Sequence, residues 1–131
     1  PSDPYMIMRY ATLLIFLGDP DKALEEIINA KRIDPFCPDM LFEDEGMCYF
    51  WLDRLPEAVD TFNKLQIPTR NSLFYLAATH NKIGDIDKAS RVLKEAIAMS
   101  SLSVEEFVKM QKYKDPDQKE NLLNILNVIA A

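Results

Sequence analysis

GDPDKALEEIINA (residues 18–30), DRLPEAVDTFNKL (53–65) and GDIDKASRVLKEA (84–96) are one phrase written three times. Ala23, Ala58 and Ala89 are its fixed points, 35 and 31 residues apart. Four residues after each alanine stand Ile27, Phe62 and Leu93, and seven after it Ala30, Leu65 and Ala96. Steps of four and seven fall on one face of a 3.6-residue helix, so each copy predicts an amphipathic helix with the same apolar side.

The match extends upstream. Ile7, Phe42 and Leu73 form a column of large residues, Ala11, Gly46 and Ala77 a small column, and Leu14, Tyr49 and His80 a third. Each phrase is therefore the second helix of a helical hairpin. Asp3-Pro4, Asp19-Pro20, Asp85-Ile86-Asp87 and Asp115-Pro116 each offer an acidic N-cap, three of them with proline in the first helical place. Ser103 and Glu106 have capping-box spacing, and Pro35, Pro38 and Pro68 separate helices. Three glycines, abundant Ala, Leu, Glu and Lys, and no sustained two-residue alternation make the expected fold class all-α.

A helix-turn-helix unit with a spacing near 34 residues resembles the tetratricopeptide repeat. The resemblance covers roughly residues 4–101 and implies a right-handed superhelix of three units, about 4–37, 38–68 and 69–101, within one domain, followed by a helical tail at 102–131. Small-column residues let the two helices of a unit approach, and large ones interdigitate with the next. The sequence departs from the family pattern at Glu45 (usually Leu), His80 (usually aromatic) and Leu65 (usually small), and its second unit is about one helical turn short before Ile67-Pro68.

The resemblance also gives a meaning to MLFEDEGMCYFWL (40–52), whose three acids among apolar residues suit neither a strand nor an ordinary core helix. As a first helix it turns Phe42, Gly46 and Tyr49 into the stack, and Met40, Glu43, Asp44, Met47, Phe50 and Trp51 toward the concave surface on which the family generally holds partners. The matching residues are Tyr5, Met8, Arg9, Thr12, Ile15 and Phe16 in the first unit, and Asn71, Phe74, Tyr75, Ala78, Asn81 and Lys82 in the third. The implied groove is rich in Met and aromatics, acidic at its centre, and suited to a helix or extended peptide with apolar anchors and one or two basic residues. Family members that clamp the acidic tails of chaperones use Lys, Asn and Arg where this chain has Met8, Thr12, Asp44, Asn71 and Tyr75; an acidic tail would meet Asp44, which excludes that role.

Composition narrows the remaining classes. A charge of −6 and a pI near 4.8 oppose binding to a phosphate backbone, so nucleic acid is not an expected partner. No apolar run reaches membrane-span length, and no membrane association is expected. Cys37 and Cys48 lack disulfide-framework or metal spacing and read as free thiols of a cytoplasmic chain. The start at Pro1 and the apolar Ile129-Ala130-Ala131 end suggest a piece of something longer.

No metal, cofactor or catalysis is expected. His80 is the sole histidine and sits in a repeat column, Cys48 has no partnered base, and Asp85/Asp87 and Asp115/Asp117 lack the rest of a calcium loop. In the tail, the expected helices run from about Val104 to Tyr113 and from Pro116 onward, the latter with Leu122, Leu123, Ile125, Leu126 and Ile129 as its apolar face and Asn121, Asn124 and Asn127 as its wet edge. It reads as a cap on the last repeat, or as an internal ligand of the groove. KYKDPDQKENLLNIL (112–126) also resembles the stretch after the repeats of bacterial multidomain signalling proteins such as some nucleotide cyclases. Two readings therefore stand: a scaffold that recruits a separate protein, and a regulatory or homo-oligomerising segment of a larger signalling enzyme whose groove is filled from within.

Overall fold

A computed structural model describes residues 3–36 and 39–131, and among them every regular element is an α-helix. The helices are α1 (Pro4–Phe16), α2 (Pro20–Ile33), α3 (Met40–Trp51), α4 (Leu55–Phe62), α5 (Arg70–Ile83), α6 (Ile86–Ser100), α7 (Val104–Met110) and α8 (Pro116–Ala130). Cys37 and Pro38, read above as a free thiol and a helix breaker, lie outside the described residues.

The punctuation expected from the sequence places the helix starts. The carboxylates of Asp3, Asp19, Asp85 and Asp115 accept hydrogen bonds from the backbone N–H groups of Tyr5, Lys22, Lys88 and Asp117 at 2.9–3.2 Å. Ser103 and Glu106 close a reciprocal capping box at 3.1 Å in both directions. A second box escaped the sequence reading: Thr69 and Ser72 cap α5, with serine where glutamate or glutamine is the usual signal. Gly84, at φ 99°, ends α5 in the left-handed region that favours glycine.

The chain divides into two compact units, Pro1–Gln66 and Ile67–Ala131. In the first, α1 packs on α2 and α3 on α4 as helical hairpins, and α3 also packs against both α1 and α2. Ala11, Ala23, Ile27, Ala30 and Ala58 are fully buried, so the repeated alanine and its partners form the core that the phrase predicts. Gly46 shows why its column is small: a Cβ there would lie 2.5 Å from the Phe62 ring. Glu45 is buried where the repeat pattern has an apolar residue, and it accepts from Lys31 Nζ at 2.9 Å and from the Tyr49 hydroxyl at 3.2 Å. A buried carboxylate is tolerated when so paired.

In the second unit α5 packs on α6, and α8 packs against both, as α3 does against α1 and α2. Of the apolar face expected on α8, Leu122, Leu126 and Ile129 are buried and Leu123 and Ile125 are only half-buried, while Asn121, Asn124 and Asn127 are exposed as expected. One boundary is corrected: α7 stops at Met110 and not near Tyr113, because Gln111 turns extended (ψ 131°) and Gln111 and Tyr113 are buried against α5.

Candidate functional site

In the first unit a polar contact joins α1 to α3. Thr12 Oγ1 donates to Asp44 Oδ2 at 2.6 Å and also lies 3.0 Å from the Met8 carbonyl. By helical period, Met40, Glu43, Met47 and Trp51 share the Asp44 face of α3, and Tyr5, Met8 and Arg9 flank the Thr12 face of α1. The face is graded. Tyr5 and Met40 are more than half exposed, Arg9 is exposed, and Thr12, Glu43 and Trp51 are intermediate. Met8, Asp44, Met47 and Phe50 are buried, and so is Ile15. Met8 and Met47, expected to offer flexible thioethers to a ligand, thus serve as floor; the exposed apolar surface is Tyr5 and Met40.

Asp44 is the chemically unusual member. Burial, with a smaller push from Glu43 and against the pull of the Thr12 hydroxyl, raises its pKa to about 7. The geometry fits a shared proton, because one Thr12 hydrogen cannot serve both acceptors within reach. When Asp44 is ionised the hydroxyl donates to it; when Asp44 is neutral its own O–H donates to Thr12 and frees the hydroxyl for Met8. Cys48, one turn on, is fully buried and its thiol is pushed up by burial and then by Asp44 and Glu45, so the reactive thiolate is strongly disfavoured.

The second unit treats the same positions differently. Phe74, Tyr75 and Ala78 are fully buried, Asn71 and Asn81 intermediate, and Lys82 exposed. The Phe107 ring of α7 stacks on Phe74 with centroids 4.0 Å apart and planes 13° from parallel, and meets Tyr75 edge-on at 6.0 Å. The Tyr75 hydroxyl donates to Gln111 Oε1 at 2.8 Å and lies 2.5 Å from the Tyr113 hydroxyl. Phe74 and Tyr75, expected to line an open groove, therefore lie beneath residues 104–113 of their own chain. Phe107, Gln111 and Tyr113 were missed by the sequence reading. Val104, Phe107 and Val108 do show an apolar helical face, but the sequence gives no sign of what it covers. His80 is buried, and burial, followed by Lys88, holds its pKa below the ordinary histidine value.

Among the described residues no group of three metal-ligating side chains comes together, and no helix is long and apolar enough to cross a membrane. A scan of the chain against protein-family models finds no match, and neither does a search of curated proteins.

Proposed function

We propose that this chain is a tetratricopeptide-type repeat scaffold that binds a protein partner on the α1/α3 face, through apolar anchors and a basic residue directed at Asp44. The repeat reading carries with it the right-handed superhelix implied by the threefold phrase. One observation carries the binding reading: a carboxylate sits on the floor of a face whose exposed apolar side chains are Tyr5 and Met40, and burial raises its pKa to about 7. A partner's Lys or Arg would supply a counter-charge to a carboxylate that burial has cut off from water, and Tyr5 and Met40 would take the apolar side chains beside it. No catalytic role is proposed.

The test is a selection from a randomised peptide library on the wild-type chain, repeated on Glu43→Lys and Asp44→Asn. Peptides with aromatic or aliphatic anchors and a conserved Lys or Arg are expected. Their affinity should fall at least tenfold on either variant. Peptides without a basic position, or equal affinity for all three proteins, would overturn the reading.

A second reading has its own observation. Residues 104–113 already occupy the α5 face, which is what a segment regulated from within its own assembly would show. Under that reading the chain is part of a larger bacterial signalling enzyme and the bound element is intramolecular. Selection would then return no peptide for either unit.

A further inference from the structure

Met6, Tyr10, Leu13 and Leu17 are 57%, 41%, 53% and 49% exposed. They recur at steps of four, three and four, the spacing of a helix-pairing seam, and run the length of α1 and into its C-cap. Ile33, 51% exposed, continues the patch on α2 across an open cleft of about 520 Å³. The same face on the next hairpin is not bare. Thirty-five residues on, Leu41, Glu45 and Cys48 of α3 are buried, and Lys31 of α2 reaches Glu45. On α3 this is the face that a neighbouring helix covers; on α1, within the first unit, the stripe stays about half exposed, with Lys22 of α2 reaching only the Tyr10 hydroxyl.

We infer that the α1 stripe pairs with the α1 stripe of a second copy of this chain, in an antiparallel two-fold dimer. This goes beyond the peptide-binding reading and does not depend on it. Three observations favour a second copy over another partner. The four-three-four spacing reads the same from either end, so a two-fold axis sets Met6 opposite Leu17 of the partner and Tyr10 opposite Leu13, which is the self-complementarity an isologous interface needs. The charged groups beside the stripe are Arg9 on α1 and Lys22, Glu26 and Arg32 on α2, so the patch is not acidic although the chain carries −6, and two copies approach here without facing carboxylate against carboxylate alone. Five half-exposed large side chains also leave roughly 500 Å² per copy, near the roughly 1,000 Å² total at which a specific interface begins.

Sedimentation equilibrium of the full chain tests the pairing. The mass should climb from 15.1 kDa toward twice that value as concentration rises, and more readily at high salt, which screens the net charge. Leu13→Glu should weaken association at least tenfold and Tyr10→Gln should weaken it less. Val128→Glu, on the exposed side of α8, should leave it unchanged, with helicity by circular dichroism equal in all four proteins. A monomer at every concentration would overturn the inference, including the case in which a different protein's helix covers the stripe. So would association that survives Leu13→Glu in a natively helical protein, that is abolished by Val128→Glu, or that weakens as salt is added. Should Leu13→Glu lose helicity, the Tyr10→Gln dissociation constant decides alone, and one equal to wild type overturns the pairing.

Discussion

The two units start from the same phrase and end with opposite surfaces. In Pro1–Gln66 the hairpin α1/α2 is followed by another hairpin, whose first helix packs against both and leaves a face with a buried carboxylate at its floor and Tyr5 and Met40 at its rim. In Ile67–Ala131 the hairpin α5/α6 is followed by α7 and α8. Here α8 takes up the contacts that a next repeat's first helix would make, while α7 lies over the aromatic face. A repeat phrase thus specifies a hairpin and its core, whereas the accessibility of its leading face is set by the segment that comes next.

The largest expected effect removes that cover. Phe107 is fully buried against Phe74 and Tyr75, so Phe107→Ala should cost about 3–5 kcal/mol, while Phe107→Leu, which keeps most of the volume, should cost under about 1.5 kcal/mol. Denaturant unfolding of the full chain measures both. A loss below about 1 kcal/mol for Phe107→Ala would mean that α7 adds little and that the α5 face stands open in solution, erasing the difference between the units.

Much of this was legible in the sequence. The helix class, the caps at Asp3, Asp19, Asp85, Asp115 and Ser103, and the buried alanines Ala23, Ala58 and Ala89 are local consequences of spacing and N-terminal chemistry. Glu45 was legible as a departure, but its partners, Lys31 fourteen residues earlier and Tyr49 on its own helix, were not. The placement of α7 was least legible. Its apolar positions say that one side is buried, yet Phe74 lies 33 residues upstream of Phe107, and nothing in the spacing selects that pairing.

A second contrast is electrostatic: the first unit buries a titrating carboxylate, and the matching residue in the second is Tyr75, which finds neutral partners. Asp44 keeps its proton to about pH 7 in the folded chain, whereas an unfolded aspartate loses it near 3.8. The folded state therefore binds the extra proton between these values. Stability contributed by neutral Asp44 is complete below the lower value and lost as pH rises through the upper one. Asp44→Asn keeps an acceptor for Thr12 and removes the titration. It should match wild type near pH 4 and exceed it by about 2–3 kcal/mol at pH 8, as thermal or denaturant unfolding at the two pH values would show. Equal stability of the two proteins at pH 8 would place Asp44 in water, and the α1/α3 face would lose the feature on which the binding proposal rests.

The smallest effect concerns how each hairpin sets the size of its paired columns. The first unit sets Gly46 against Phe62, and the second carries Ala77 and Leu93 at the matching places. A methyl group at position 46 would gain up to about 1 kcal/mol of helix propensity. It would also sit 2.5 Å from the Phe62 ring, and forcing that ring aside costs about 1–3 kcal/mol, so steric crowding wins. Gly46→Ala should therefore destabilise by up to about 2 kcal/mol. Adding Phe62→Leu, which copies the second unit's pairing, should recover most of that loss although Phe62→Leu alone also destabilises. The double-mutant cycle isolates this coupling. Additive losses would show that α3 and α4 adjust independently, and that the matched columns of the two units are a coincidence of composition and not of packing.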